Sequence, residues 1–154
     1  MKVREVALKI AGHVLLELFG PDGELKQSER ADNLVVNDGL YHIADQLSDQ
    51  GESAMSHMAV GTDDTAADAG DTTLGTESAR VALDSTTQGA GGSANEVTYV
   101  ATFGAGTGTG ALVEAGIFNA DSNGDLLCHT IFSVINKGAG DSLTVTWVLT
   151  ISAS

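Results

Sequence analysis

Leu143-Thr144-Val145-Thr146-Trp147-Val148-Leu149-Thr150-Ile151 places an apolar side chain at every odd position, with threonine at 144, 146 and 150. Strand side chains point alternately to two faces, so this spacing describes a strand with one buried face. Trp147 falls on that face and is the expected core anchor. The same alternation runs through Val97, Tyr99, Ala101 and Phe103, with Thr98, Val100 and Thr102 between them. Val113, Ala115 and Ile117 continue it. Leu126 to Ile135 runs back after Asn123-Gly124, a pair suited to the positive φ of a hairpin turn. Antiparallel strands with one buried face produce such patterns. The expected fold class is all-β, mainly antiparallel, a β-sandwich or jelly-roll-like architecture.

Upstream, Val14 to Phe19 reads as a strand, Pro21-Asp22-Gly23 as a turn, and Glu24 to Ala31 as a polar edge strand. Residues 37–47 are the one helix expected. Leu40, Ile43, Ala44 and Leu47 recur at helical spacing, with Asn37 or Asp38 as cap. His42 lies off that stripe and is expected to face solvent or an interface. Met58 to Gly61 reads as a short strand. Thr62 to Ser78 reads as a long ordered loop with one helical turn near Ala66-Ala67, and Ser85 to Ala94 as a mobile surface loop. The whole chain, 1–154, is expected to form a single domain, with residues 1–13 a candidate arm.

The 154 residues carry 21 acidic and 7 basic side chains, a formal net charge of −14, yet 42% are hydrophobic. That apolar fraction describes a folded protein with an acidic coat rather than a disordered chain. Two physical readings fit: a surface kept hydrated at high salt, or one that avoids nucleic acid. A polyanion partner is excluded on charge, because like charge repels phosphate and releases no counterions. No run approaches a membrane span, and no apolar block of signal-peptide length follows Met1-Lys2-Val3-Arg4-Glu5. The expectation is assembly inside a cell.

The candidate chemistry is sparse. Cys128 is the only cysteine and sits in an apolar run, as a small buried hydrophobe would. His129, next to it on a strand, points to the opposite face. Gly104 to Gly110 is glycine-rich but lacks both the dinucleotide spacing and the Lys-Ser/Thr of a phosphate loop. Asp121, Asn123 and Asp125 offer oxygen ligands at alternate positions, a weak calcium candidate that a turn explains equally well. Asp63, Asp64 and Asp68 form a weaker second set. His13, His42, His57 and His129 show no ligand spacing. Glu114 is a lone carboxylate in a strand, without an evident partner, and an outward position or an inter-subunit ion pair is expected. No catalytic or cofactor-binding residue is assigned, and no enzyme activity is expected.

Asn33-Leu34-Val35-Val36-Asn37-Asp38-Gly39-Leu40 leading into Ile43-Ala44-Asp45-Gln46-Leu47 resembles a recurrent element in small structural proteins of tailed phages. Further similar blocks are Met58 to Thr62 with the stretch ending at Leu74, Val97 to Phe103, Glu114 to Ala120, and Val134 to Ala139 with Leu143 to Trp147. They lie in consistent order over residues 14–151. The resemblance implies a non-enzymatic virion component of head-decoration or tail-fibre type. The Asp/Glu enrichment departs from the usual phage pattern and resembles extreme halophiles, which implies a haloarchaeal virus. The expected role is capsid decoration (cement) on the head surface, as a homotrimer contacting the major capsid protein or other virion proteins. The alternative is a tail-fibre or baseplate module that touches the host. Assembly is expected in the host cytoplasm, with no membrane insertion.

Overall fold

The computed structural model describes residues 7–153, which form two five-stranded antiparallel sheets packed face to face. The first contains, in spatial order, β2 (Leu25–Asp32), β1 (Leu8–Phe19), β10 (Ser142–Ala153), β7 (Glu96–Phe103) and β6 (Ser85–Gln88). The second contains β3 (Leu34–Val35), β9 (Leu126–Lys137), β8 (Gly110–Phe118), β4 (His57–Gly61) and β5 (Glu77–Ala82). The all-β expectation holds. The strand order does not establish jelly-roll wiring, which consists of two Greek keys. Here β1–β2, β4–β5, β6–β7 and β8–β9 are each local pairs within one sheet.

The period-2 pattern of β10 does what it implies. Leu143, Val145, Trp147 and Leu149 enter the core with Val14, Leu16 and Leu18 of β1 and Tyr99, Ala101 and Phe103 of β7. Met58, Val60, Leu112, Ala115, Ile117 and Phe132 meet them from the second sheet. Trp147 is fully buried at the centre, paired across the ladder with Val14 on one side and Tyr99 on the other.

Several local expectations are corrected. Leu8 to His13 are no arm: they extend β1 and pair with Val148 to Ala153. The rest of the candidate arm, residues 1–6, lies outside the described residues. Ser85 to Gln88 pair with Val97 to Val100 as an edge strand, so that stretch is not a loop. Residues 66 and 67 form no helical turn. Asn123 and Gly124 do take positive φ, 54° and 75°, but within a seven-residue connection between Phe118 and Leu126 rather than a two-residue turn.

The helix, α1 (Asn37–Ser48), is present but turned from its expected face. Gly39 and His42 are its buried residues, while Leu40 and Leu47 are 48% and 83% exposed. Close backbone approach decides this orientation, since a Cβ on Gly39 would run into the Leu127 carbonyl of β9. Neither Asn37 nor Asp38 caps the helix; the N-cap is Val36, without a side-chain bond. Asp38 instead accepts from the Leu126 N–H at 2.8 Å, tying α1 to the start of β9. Among the described residues, no helix is long and apolar enough to cross a membrane.

Candidate functional site

The polar centre of the molecule sits on the outer face of the second sheet, and a β-bulge creates it. Leu112 faces the core, and strict alternation would send Glu114 there too. The register slips between Leu112 and Glu114, so Ala115 and Ile117 take the core positions and Glu114 turns outward. Bulges re-aim side chains in this way. On β9, Cys128 faces the core and His129 faces the Glu114 side.

The segment between β4 and β5 then folds over this face. Its base closes through the Thr62 N–H to the Thr76 carbonyl, and Leu74 packs with Val36, Ala59, Phe118 and Leu126. Glu114 is completely buried beneath it. One Glu114 oxygen accepts from Gly75 N–H at 2.8 Å and lies 3.1 Å from His129 Nε2. The other accepts from Asp63 N–H at 2.8 Å and Thr76 N–H at 2.9 Å. Gly61 makes the approach possible, because a Cβ there would strike the Thr76 carbonyl and come within 2.7 Å of the Glu114 carboxylate. Glu114 thus faces away from the core as expected, but it is covered rather than exposed, and its partners are His129 and three backbone amides of its own chain.

His129 Nδ1 lies 2.7 Å from Asp71 Oδ2, so the ring bridges two carboxylates. Burial pushes Asp71 up, but the Asp68 N–H and the His129 ring outweigh it and hold the carboxyl below 3.8. Bonds from Thr65 likewise hold Asp63 below its ordinary value. A polar cleft of about 370 Å³ opens here, lined by Asp63, Thr65, Asp71, Thr73, Glu114 and His129 among others. A base needs a free lone pair near a reacting group. Here both His129 nitrogens and both Glu114 oxygens are engaged in fastening the segment. The arrangement is a latch.

The other singled-out residues separate. Asp121 Oδ1 meets the Ser122 hydroxyl at 3.4 Å, while Asn123 gives its carbonyl to Arg80 Nη1 at 2.8 Å. Asp125 turns instead toward His42 Nδ1, 3.6 Å from its Oδ2, and Glu52 Oε2 lies 3.2 Å from the same nitrogen. His42 is 4% exposed, which corrects its expected solvent-facing position. In the second calcium set, Asp63 and Asp68 accept bonds from Thr65 and Gly70 within their own turns, and Asp64 is exposed. Burial pushes the Cys128 thiol far up, as suits an inert core cysteine.

Three of the basic residues are absorbed by the fold. Lys26 pairs with Asp141 at 2.9 Å, and the buried Lys137 donates to the Gly104 carbonyl at 2.8 Å. Arg80 stacks 3.6 Å from the Phe118 ring centroid while binding Glu77 and the carbonyls of Ala120 and Asn123. The Arg80 and Lys137 charges are thereby drawn inward, while Lys26 stays partly exposed.

No family model, curated protein or solved structure matches the chain.

Proposed function

We propose that this protein is a structural component of a virion, a cement protein on the outside of the head shell, from a virus of a salt-loving host. The observation that carries the reading is the outward face of α1. Leu40, Tyr41 and Leu47 are 48%, 70% and 83% exposed on one short helix of a chain with net charge −14. Three exposed apolar side chains on one short helix, including the two most exposed large hydrophobics among the described residues, with net acid over the chain, fit a protein surface as partner and disfavour nucleic acid. The blocks that resemble phage structural proteins fall on α1, β4, β7, β8, β9 and β10, the elements that build the sandwich and its helix. The closed Glu114–His129 latch supports a structural rather than a catalytic role.

A cement protein contacts several shell subunits through modest patches, and repetition multiplies the effect. The edge strands β2, β6, β3 and β5 and the α1 face supply such patches, and a trimer places three sets on one particle site. Quantitative mass spectrometry of purified particles tests the role. Hundreds of copies per particle are expected. A handful of copies would favour the tail-fibre or baseplate reading, and absence from particles would overturn both.

A further inference from the structure

We propose that His42, Glu52 and Asp125 form a binding site for a divalent transition-metal ion of the zinc type. Among the described residues, theirs is the one set of three His, Cys, Asp or Glu side chains whose ligand atoms all lie within 4.8 Å of one another. The spacing matches a metal polyhedron. Zinc binds nitrogen at about 2.0–2.1 Å and carboxylate oxygen at about 2.0–2.2 Å, so ligands on a tetrahedron stand roughly 3.3–3.6 Å apart. His42 Nδ1 lies 3.2 Å from Glu52 Oε2 and 3.6 Å from Asp125 Oδ2.

The surroundings hold these groups in place. His42 projects from the buried side of α1, with its side chain 5% exposed. Glu52 is fixed through its backbone, its N–H donating to Asp45 Oδ1 at 3.0 Å and its carbonyl accepting from Gln46 Nε2 at 2.8 Å. The Asp125 N–H donates to Asn119 Oδ1 at 2.7 Å. Outer contacts of this kind orient metal ligands. The three ligands come from α1, the segment after it and the end of the β8–β9 connection, so an ion would clamp these three pieces of chain together.

Two carboxylates converge on one imidazole in a strongly acidic protein. A cation between them would offset the repulsion of the two carboxylates. The imidazole selects the metal class: calcium and magnesium take oxygen ligands, whereas imidazole suits zinc, nickel, copper and iron. Three protein ligands leave one position of a tetrahedron for water or for a group from a neighbouring protein.

The test is calorimetric titration of Zn²⁺ into the chelator-stripped full chain, with melting followed in parallel. One ion per chain and a higher melting temperature are expected, with a much smaller response to Ca²⁺ at equal concentration. Co²⁺ should give the intense visible absorption of four-coordinate ligation. His42→Ala removes a buried side chain and risks unfolding, so the informative variants are Glu52→Gln and Asp125→Asn. Each should weaken Zn²⁺ binding at least ~10-fold, while His13→Gln on β1 should bind as the parent does. Absence of stoichiometric binding, unchanged binding in both carboxylate variants, loss of binding in His13→Gln, or an equal response to Ca²⁺ would each overturn the proposal.

Discussion

Glu114 of β8 and His129 of β9 are diagonal neighbours across one antiparallel pair, with Glu114 Oε1 3.1 Å from His129 Nε2 and Glu114 wholly buried. His129 lies opposite Gly116, and Glu114 opposite Ile131, so the two side chains share a face of the sheet. This pair and the amides of Asp63, Gly75 and Thr76 hold the acidic segment down.

Replacing Glu114 should therefore be severe. Glu114→Ala leaves the amides of Asp63, Gly75 and Thr76 without their acceptor, and each buried donor left unsatisfied costs about 1–3 kcal/mol. Glu114→Gln should also be costly, because its amide NH₂ would face donors. Urea denaturation measures the loss. Limited proteolysis should show cleavage between residues 62 and 76 before global unfolding. A variant as stable and as protected as the parent would remove the latch from the account.

Trp147→Ala should cost about 3–5 kcal/mol, in line with other buried aromatic truncations. The indole N–H has no hydrogen-bond partner among the described residues, so Trp147→Phe should be much milder. Denaturant midpoints of the two variants provide the comparison. A folded Trp147→Ala protein with parental stability would contradict the central position of this side chain.

Arg80→Lys should destabilise by about 1–2 kcal/mol, although charge is kept. A lysine cannot bind Glu77 in a fork, reach two carbonyls and lie flat on Phe118 at once. Thermal unfolding of the variant supplies the test, and an unchanged midpoint would show that the stack contributes nothing.

Stability should depend on pH in two stages. Asp63, Asp71 and Asp141 have depressed pKa values, so their contribution is complete above 3.8 and is lost as pH falls through their lower folded values. Asp125 is raised, so its ionisation opposes folding near neutrality, and protonation relieves this as pH falls. Melting in chelator from neutral pH downward should stay level or rise slightly, then collapse below about pH 4. A steady decline starting near neutrality would contradict these assignments.

The acidic coat should make folding salt-dependent. Self-repulsion at −14 weakens the compact state, and molar salt shortens its range to about 3 Å. The melting temperature should rise from low to molar NaCl. A flat or falling curve would contradict the proposed high-salt origin.

The core strands were legible because period-2 spacing in β7 and β10 is governed by local stereochemistry and one buried face. The polar site was not. A bulge at Val113 puts Leu112 rather than Val113 in the core and leaves Glu114 facing outward, as the 113/115/117 spacing implies. That spacing carries no sign of the segment that folds over Glu114 and buries it. His129 could have been paired with Glu114 only once the β8–β9 register was known. The α1 face was misassigned because apolar spacing favoured Leu40 and Leu47, whereas the fit of Gly39 against Leu127 favoured the side carrying His42. Glu52 and Asp125 reach His42 from distant positions, a convergence that sequence spacing does not encode. An acidic side chain in an otherwise apolar strand was the one available signal for Glu114.

Cryo-electron microscopy of purified virus particles tests the proposed cement role most directly. The account predicts density for the two-sheet sandwich on the outer surface of the head, in threes, at three-fold or quasi-three-fold positions, with the α1 face toward a neighbouring protein. Density for the chain only along the tail or at its tip would contradict the cement role.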